Sequence, residues 1–405
     1  MPWRERSVMD QREEFVRLAS VEGANKSALC RRFAISRAKG YKWLGRYAGE
    51  GRAGLYDRPR RPRRSPRRTP VAVEAEVLRV RAAHNNAWGG RKIAAAMRKA
   101  GWNGVPAAST ITGILRRHGK LEERAGEHPG PHLRFEHVAP NELWQMDFKG
   151  HFALAAGRCH PLTVLDDHSR YAVGLAACAD ERDMTVRERL VAAFRRYGLP
   201  LRMLMDNGAP WGDAGDQPYT ALTVWLLRLG VGVTHGRPFH PQTQGKDERF
   251  HRTLKAEVLN GRAFGDLADC QRAFDVWRRV YNHERPHQAL GMAVPGARYR
   301  ASPRGFPERL PAIEYGPGDK VRKVNQSGLI SFANRAVRVG KAFRGQPVAL
   351  RPTERDGVLA VHYCAHRIGT LALDAPPPPA CGFVDIAKAM PTTPQAQQQP
   401  QSIES

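Results

Sequence analysis

At 405 residues the chain exceeds a single typical domain, and about 100–200 residues per domain points to two to four of them. Lys and Arg number 65 against 39 Asp and Glu, so a formal charge of +26 and a pI near 10.5 call for a polyanionic partner, with nucleic acid the leading candidate. No run reaches the ~18 apolar residues of a spanning helix, no apolar signal core follows the start, and the scattered cysteines form no Cys-x-x-Cys, so a cytoplasmic, nucleoid-associated protein with reduced thiols is expected in preference to a membrane protein, a disulfide framework or a zinc site.

In chain order, residues 9–22 carry a helical pattern, and a second short helix over 27–33 follows Asn25. After the turn at Ala34-Ile35-Ser36, a third helix runs over 37–47 with Ser36 as its N-cap. That is a helix-turn-helix spacing. On the third helix Trp43, Leu44 and Tyr47 form the expected apolar side, while Lys39, Lys42 and Arg46 share a face suited to a DNA groove. We assign residues 1–50 to this domain.

Residues 51–70 form an Arg/Pro-rich linker. Eight arginines lie between Arg52 and Arg68, punctuated by Pro59, Pro62 and Pro66, which forbids a packed helix. Arg60, Arg61, Arg63 and Arg64 are the candidates for phosphate or minor-groove contact. Helical periodicity returns over 71–120, a second helix-turn-helix-like module, and a polar linker follows over 121–138.

From residue 139 the period changes to that of strands. Alternation over 143–148 puts Leu143, Gln145 and Asp147 on one face and Trp144, Met146 and Phe148 on the other. Two further strands at 162–165 and 171–177 are joined by Asp166-Asp167-His168-Ser169-Arg170, a turn composition. A helix, a strand at 201–205 ending on Asp206, a helix, a strand at 231–234 and a helix opening after Gly245 complete the order. Three strands, then alternating helices and strands, match a ribonuclease H-like α/β core with a mixed five-stranded sheet over 139–300.

On the helix after Gly245, a step of about 100° per residue puts Arg252, Lys255 and His251 within about 60° of Glu248, while Phe250 and Leu254 fall opposite. Asp247 falls on the apolar side, where an N-terminal capping or dipole role explains it better than ligation. Asp147, Asp206 and Glu248 thus form a candidate set of three carboxylates. Such a set suits Mg²⁺ or Mn²⁺, with two ions expected, for phosphodiester chemistry. Asp213 and Asp216, in a polar loop, are weak rival ligands, whereas the turn and helix positions of Asp166, Asp167 and Glu257 explain those acids without chemistry.

Six short strands between 320 and 373, separated by turn signals at Asn325, Gly340, Gly345 and Asp356-Gly357, predict a small β-barrel over 315–374. Arg335, Arg338, Lys341 and Arg344 there would suit phosphates. The proline- and glutamine-rich 375–405 is expected to be a disordered tail.

Taken together, Leu143-Trp144-Gln145-Met146-Asp147, Asp166-Asp167-His168-Ser169-Arg170-Tyr171, Asp206-Asn207-Gly208 and the run from His240 to Lys255 resemble the DDE integrase core of bacterial insertion-sequence transposases, relatives of retroviral integrases. Tyr281-Asn282-His283-Glu284-Arg285-Pro286 resembles that family's ending of the core. The resemblance implies that Asp147, Asp206 and Glu248 are the catalytic, metal-binding triad and that Arg252 and Lys255 contact the DNA end. It further implies a transposase that binds terminal inverted repeats of double-stranded DNA, cuts and joins strands, and acts as a homodimer or higher oligomer. The alternative is a catalytically inactive DNA-binding repressor on the same scaffold. One departure stands out: 41 residues separate Asp206 from Glu248, more than in the best-known relatives.

Overall fold

The computed structural model describes residues 7–59, 68–121, 136–212, 219–236 and 245–374, with the backbone of 384–385 and 387–388. The chain divides into two compact units, Met1–Arg68 and Thr69–Ser405.

In the first unit, α1 (Val8–Ala19) opens on a capping box in which Ser7 and Asp10 exchange side-chain and backbone hydrogen bonds. Asn25 caps α2 (Lys26–Arg32), and Ser36 caps α3 (Arg37–Glu50) by accepting from Lys39 N at 3.3 Å. Phe15, Val16, Ala19, Cys30 and Trp43 form the core. Gly40 is required where α3 crosses it, because a Cβ there would lie 2.6 Å from Cys30 Sγ and 2.9 Å from the Phe15 ring. Tyr47, expected on the apolar side, is exposed instead. Leu55 is the missing apolar partner: it is fully buried at the end of a 3₁₀ turn, Gly51–Leu55, so ordered chain continues into what the arginine count marked as extended linker. Arg12 fixes that return by donating to Leu55 O at 2.7 Å and pairing with Asp57. Arg60, Arg61, Arg63 and Arg64 lie outside the described residues.

The second unit begins with α4 (Val71–Ala83), α5 (Gly90–Lys99) and α6 (Ala108–Arg117), packed around Val77, Trp88, Ile93, Met97, Ile111 and Ile114. Asn85 Nδ2 donates to Ala256 O and Asn260 O, and Lys99 Nζ to His283 O, so this bundle is fastened to the helices that follow.

The central sheet is mixed. Strands β1 (Leu143–Phe148), β3 (Arg158–Asp166) and β4 (Ala172–Cys178) pair antiparallel, with the two-residue β2 (Phe152–Ala153) against the start of β3. Strands β5 (Arg202–Met205) and β6 (Gly232–His235) then add in parallel beside β1, giving the order β4-β3-β1-β5-β6. Alternation decides which helices cover which face. Trp144, Met146, Val164, Met203 and Met205 pack with α7 (Asp183–Tyr197) and α8 (Ala221–Arg228). On the other face Leu165, Ala172 and Leu175 pack with Phe250 and Leu254 of α9 (Gly245–Leu254) and Phe274, Trp277 and Tyr281 of α10 (Leu267–His283). One turn of π-helix, Lys255–Leu259, follows α9 directly.

At the C-terminal end β7 (Lys320–Lys323), β10 (Pro347–Pro352), β11 (Val358–Tyr363) and β12 (His366–Ala372) form an antiparallel sheet, and β8 (Leu329–Phe332) pairs with β9 (Arg335–Arg338) as a hairpin. The predicted turns separate these strands. Their apolar side chains share one cluster with the α7/α8 face of the core, where Tyr219 and Phe343 meet edge to face at 5.2 Å. Among the described residues no helix is long and apolar enough to cross a membrane.

Candidate active site

Because β1 and β5 run parallel with Gln145 opposite Leu204, two residues further along both strands Asp147 and Asp206 leave neighbouring strands side by side at their C-terminal ends. By alternation both belong to the face covered by α9. Gly208 N donates to Asp206 Oδ1 at 3.1 Å, and a Cβ on Gly208 would sit 3.3 Å from Asp206 Oδ2, so glycine lets that carboxylate fold against its own turn. His235 Nδ1 bonds to Asp206 O at 2.8 Å and ties β6 to the tip.

Glu248 occupies the first turn of α9 and is exposed. Burial pushes the Asp147 carboxyl up to about 7, and the charge of Asp206 adds to the rise; Glu181 and Glu248 push the same way against a hydrogen bond from Phe148 N. Asp147 therefore feels the charge of both other predicted acids. Among the described residues no three His, Cys, Asp or Glu side chains stand close enough to enclose a metal ion. Donor chemistry and charge nevertheless fit one: the acids supply only oxygen, and their mutual repulsion is what a divalent cation relieves.

Asp247 departs from its expected role. It is 2% exposed, its Oδ1 has no hydrogen-bond partner, and burial with the charges of Asp147 and Asp167 raises its carboxyl far above the usual range. Oδ1 thus caps nothing. Asp167 also does more than turn the chain: it accepts from His137 N at 2.9 Å and Gln145 Nε2 at 2.7 Å, and forms an ion pair with Lys246 in the first turn of α9. Burial alone would raise its carboxyl; the Lys246 charge and hydrogen bond, the bond from His137 N and the Arg170 charge together outweigh that and hold it low. Asp166 closes the turn through Asn141 N and Ser169, and Glu257 is occupied by Arg285 and Trp277. Asp213 and Asp216 lie outside the described residues.

Arg252 and Lys255 are exposed, on the same side of the helix as Glu248. Lys149 is half-buried, and burial together with the Lys255 charge lowers its pKa. His251, which the helical wheel placed near Glu248 without assigning it a task, sits beside Asp147: its Nδ1 faces Asp147 Oδ2 at 4.0 Å and its Nε2 bonds Thr163 Oγ1 at 2.9 Å. Burial, with Lys149 nearby, pushes this ring down to about 4. Thr163 and Glu181 carried no signal in the sequence, since neither lies in a motif. In the first unit Lys39 and Lys42 are exposed, whereas Arg46 is half-buried with its guanidinium 5.2 Å from the Trp43 ring.

Comparison with known proteins agrees with this layout. Residues 137–241 and 229–295 match models described as integrase core domain, and 319–376 match the C-terminal domain of IS481 family transposases. Residues 11–63 match a helix-turn-helix domain and 39–115 a homeodomain-like domain. An uncharacterized 31.7 kDa protein of insertion element IS407 from Burkholderia multivorans is 28% identical over 48% of this chain and 72% of its own length. An uncharacterized 39.2 kDa protein of insertion element IS476 from Xanthomonas euvesicatoria is 30% identical over 44% of this chain, which spans only 49% of that relative. Among solved structures, the HTLV-2 integrase catalytic core domain in complex with magnesium aligns with 40% of this chain and 97% of its own at 16% identity and a TM-score of 0.31. Integrase-core, IS481-family transposase C-terminal and helix-turn-helix models thus match successive stretches of this chain, none of them over half its length, and its likeness is to proteins of bacterial insertion elements.

Proposed function

We propose that the chain binds the terminal inverted repeats of its insertion element and catalyses metal-dependent cleavage and strand transfer of DNA. The observation that carries this reading is the β1–β5 register that sets Asp147 beside Asp206, where burial and the charges of Asp206, Glu181 and Glu248 push the Asp147 carboxyl up. Like charges gathered at strand ends destabilise an empty site and suit a site that takes a cation. Asp147, Asp206 and Glu248 would hold Mg²⁺ or Mn²⁺, and the chemistry such ions supply is activation of the attacking oxygen and stabilisation of the leaving 3′ oxygen.

The chain's own residues do the positioning. Asp147 and Asp206 are held on adjacent strands, Lys246 anchors the start of α9 to Asp167, and Arg252 and Lys255 stand free to meet phosphates of the DNA end. Lys39, Lys42 and Arg46 of α3, with the arginines of 60–64, would supply recognition and non-specific grip. The C-terminal strands are read as the small barrel that makes DNA or subunit contacts. Joining two ends requires at least a dimer on DNA.

The test incubates purified protein with Mg²⁺ and labelled duplex carrying the element's ends. Wild type cleaves and transfers strands, while Asp147→Asn, Asp206→Asn and Glu248→Gln bind the same duplex and fall to background. Binding without cleavage by wild type would overturn the reading in favour of a repressor, and full activity of Asp206→Asn would overturn the triad.

A further inference from the structure

The proton positions around Asp147 are fixed by its neighbours. A backbone carbonyl only accepts, so the Thr163 hydroxyl, 2.9 Å from Asp147 O, must donate to it. Its oxygen is then the acceptor for His251, 2.9 Å away, and the ring carries its proton on Nε2. His251 is largely enclosed, with 13% of its side chain exposed, between Thr163 on its Nε2 side and the Asp147 carboxyl on its Nδ1 side. With Nε2 committed to Thr163, Nδ1 is the ring's remaining nitrogen, and it faces Asp147 Oδ2 at 4.0 Å, too far for a hydrogen bond between them.

A carboxyl oxygen and an imidazole nitrogen that face each other at this separation, with no hydrogen bond between them, can share one cation. Donor atoms each about 2.1 Å from a cation can stand up to about 4.2 Å apart, so the observed separation leaves room for one ion bonded to both. We infer that His251 Nδ1 is a ligand of the cation held by Asp147, making the site a mixed nitrogen and oxygen one and not purely carboxylate. The inference rests on the metal-dependent reading above and adds to it. A nitrogen donor disfavours Mg²⁺, which prefers oxygen and water, relative to Mn²⁺. Thr163 sets the tautomer from behind, as outer partners of metal-bound imidazoles do.

The experiment loads the full chain with Mn²⁺ and records ¹⁴N modulation of the Mn(II) electron spin echo. Wild type shows imidazole nitrogen coupling. His251→Gln, whose amide nitrogen still reaches toward Thr163, loses that coupling and shows a lower ratio of Mn²⁺ to Mg²⁺ affinity, while its thermal melt stays within a few degrees of wild type. Absence of nitrogen coupling in Mn²⁺-loaded wild type, or its persistence in His251→Gln, overturns the inference and leaves the carboxylate site standing. Failure of wild type to bind Mn²⁺, or binding that Asp206→Asn leaves unchanged, overturns the metal reading itself and the inference with it.

Discussion

Replacing Lys246 by methionine isolates what holds α9 over the sheet. The Lys246 side chain is 20% exposed and its partner Asp167 only 3%. Breaking a buried ion pair by removing one member costs about 3–5 kcal/mol, because the other charge is left uncompensated. Here Asp167 keeps two donors, His137 N and Gln145 Nε2, so the loss falls at the lower end, about 3 kcal/mol. Asp167→Asn is milder at about 1–2 kcal/mol, since the stranded ammonium can move its charged end toward solvent. The double variant should be less destabilised than the sum of the singles by about 2 kcal/mol, a coupling typical of contacting charges. Urea unfolding of metal-free protein measures all three, and amide exchange over residues 245–254 shows whether α9 is the part that loosens. Single-variant losses that add to within about 0.5 kcal/mol, with unchanged exchange in α9, would refute the anchoring role.

Asp147 supplies a prediction in pH. Its folded pKa of about 7 lies above the unfolded carboxylate value, so the native state holds the extra proton and stability of the metal-free chain falls as pH rises from about 4 to 7, by at most about 4 kcal/mol. Asp147→Asn should flatten that slope in thermal melts across this window, and an unchanged slope would sink it. Lys42→Ala should weaken binding to any duplex and lower the slope of log affinity against log salt by about 1, read from fluorescence anisotropy in a salt series. Arg46→Ala should do the same, and because Lys42 Nζ stands 4.8 Å and the Arg46 guanidinium 5.2 Å from the Trp43 ring, each variant should also cost about 0.5–1 kcal/mol of stability. Phe250→Ala removes a 2% exposed ring packed on Trp277 and Tyr281 and should destabilise the chain by about 3–5 kcal/mol in urea titration.

Much of the core was readable because its signals are local. Period-two alternation placed Asp147 on the opposite face from Trp144 and Met146, and the sheet keeps that division. The angular step of α9 likewise set Phe250 and Leu254 inward and left Arg252 and Lys255 outward. What stayed hidden depends on chain segments meeting across long separations. Thr163 and His251 lie 88 positions apart, and Lys246 and Asp167 lie 79 apart. Nothing in either neighbourhood announces its partner. Leu55 was lost for the opposite reason: one apolar residue beside eight arginines is outvoted by composition, although burying it organises the turn that ends the first helical unit.

Charge imbalance at the site runs in two directions at once. Asp147 and the buried Asp247 are acids lifted toward neutrality by burial and by other acids. Over the two turns that follow Glu248 the balance reverses, for Arg252 and Lys255 are exposed without an ion pair among the described residues, and burial together with the Lys255 charge depresses Lys149. Neither cation pairs with an acid among the described residues: Asp147 leaves the sheet edge and Asp247 is buried, while Arg252 and Lys255 share the exposed side of α9 with Glu248. A folded chain gains nothing by holding the two sets apart unless each meets something else. A divalent cation answers the acids and a phosphate backbone answers the lysine and arginine, and a metal-bound DNA end presents both within a few ångströms. On that argument the site is unfavourable alone and complete only with substrate, so metal and DNA should each tighten the binding of the other.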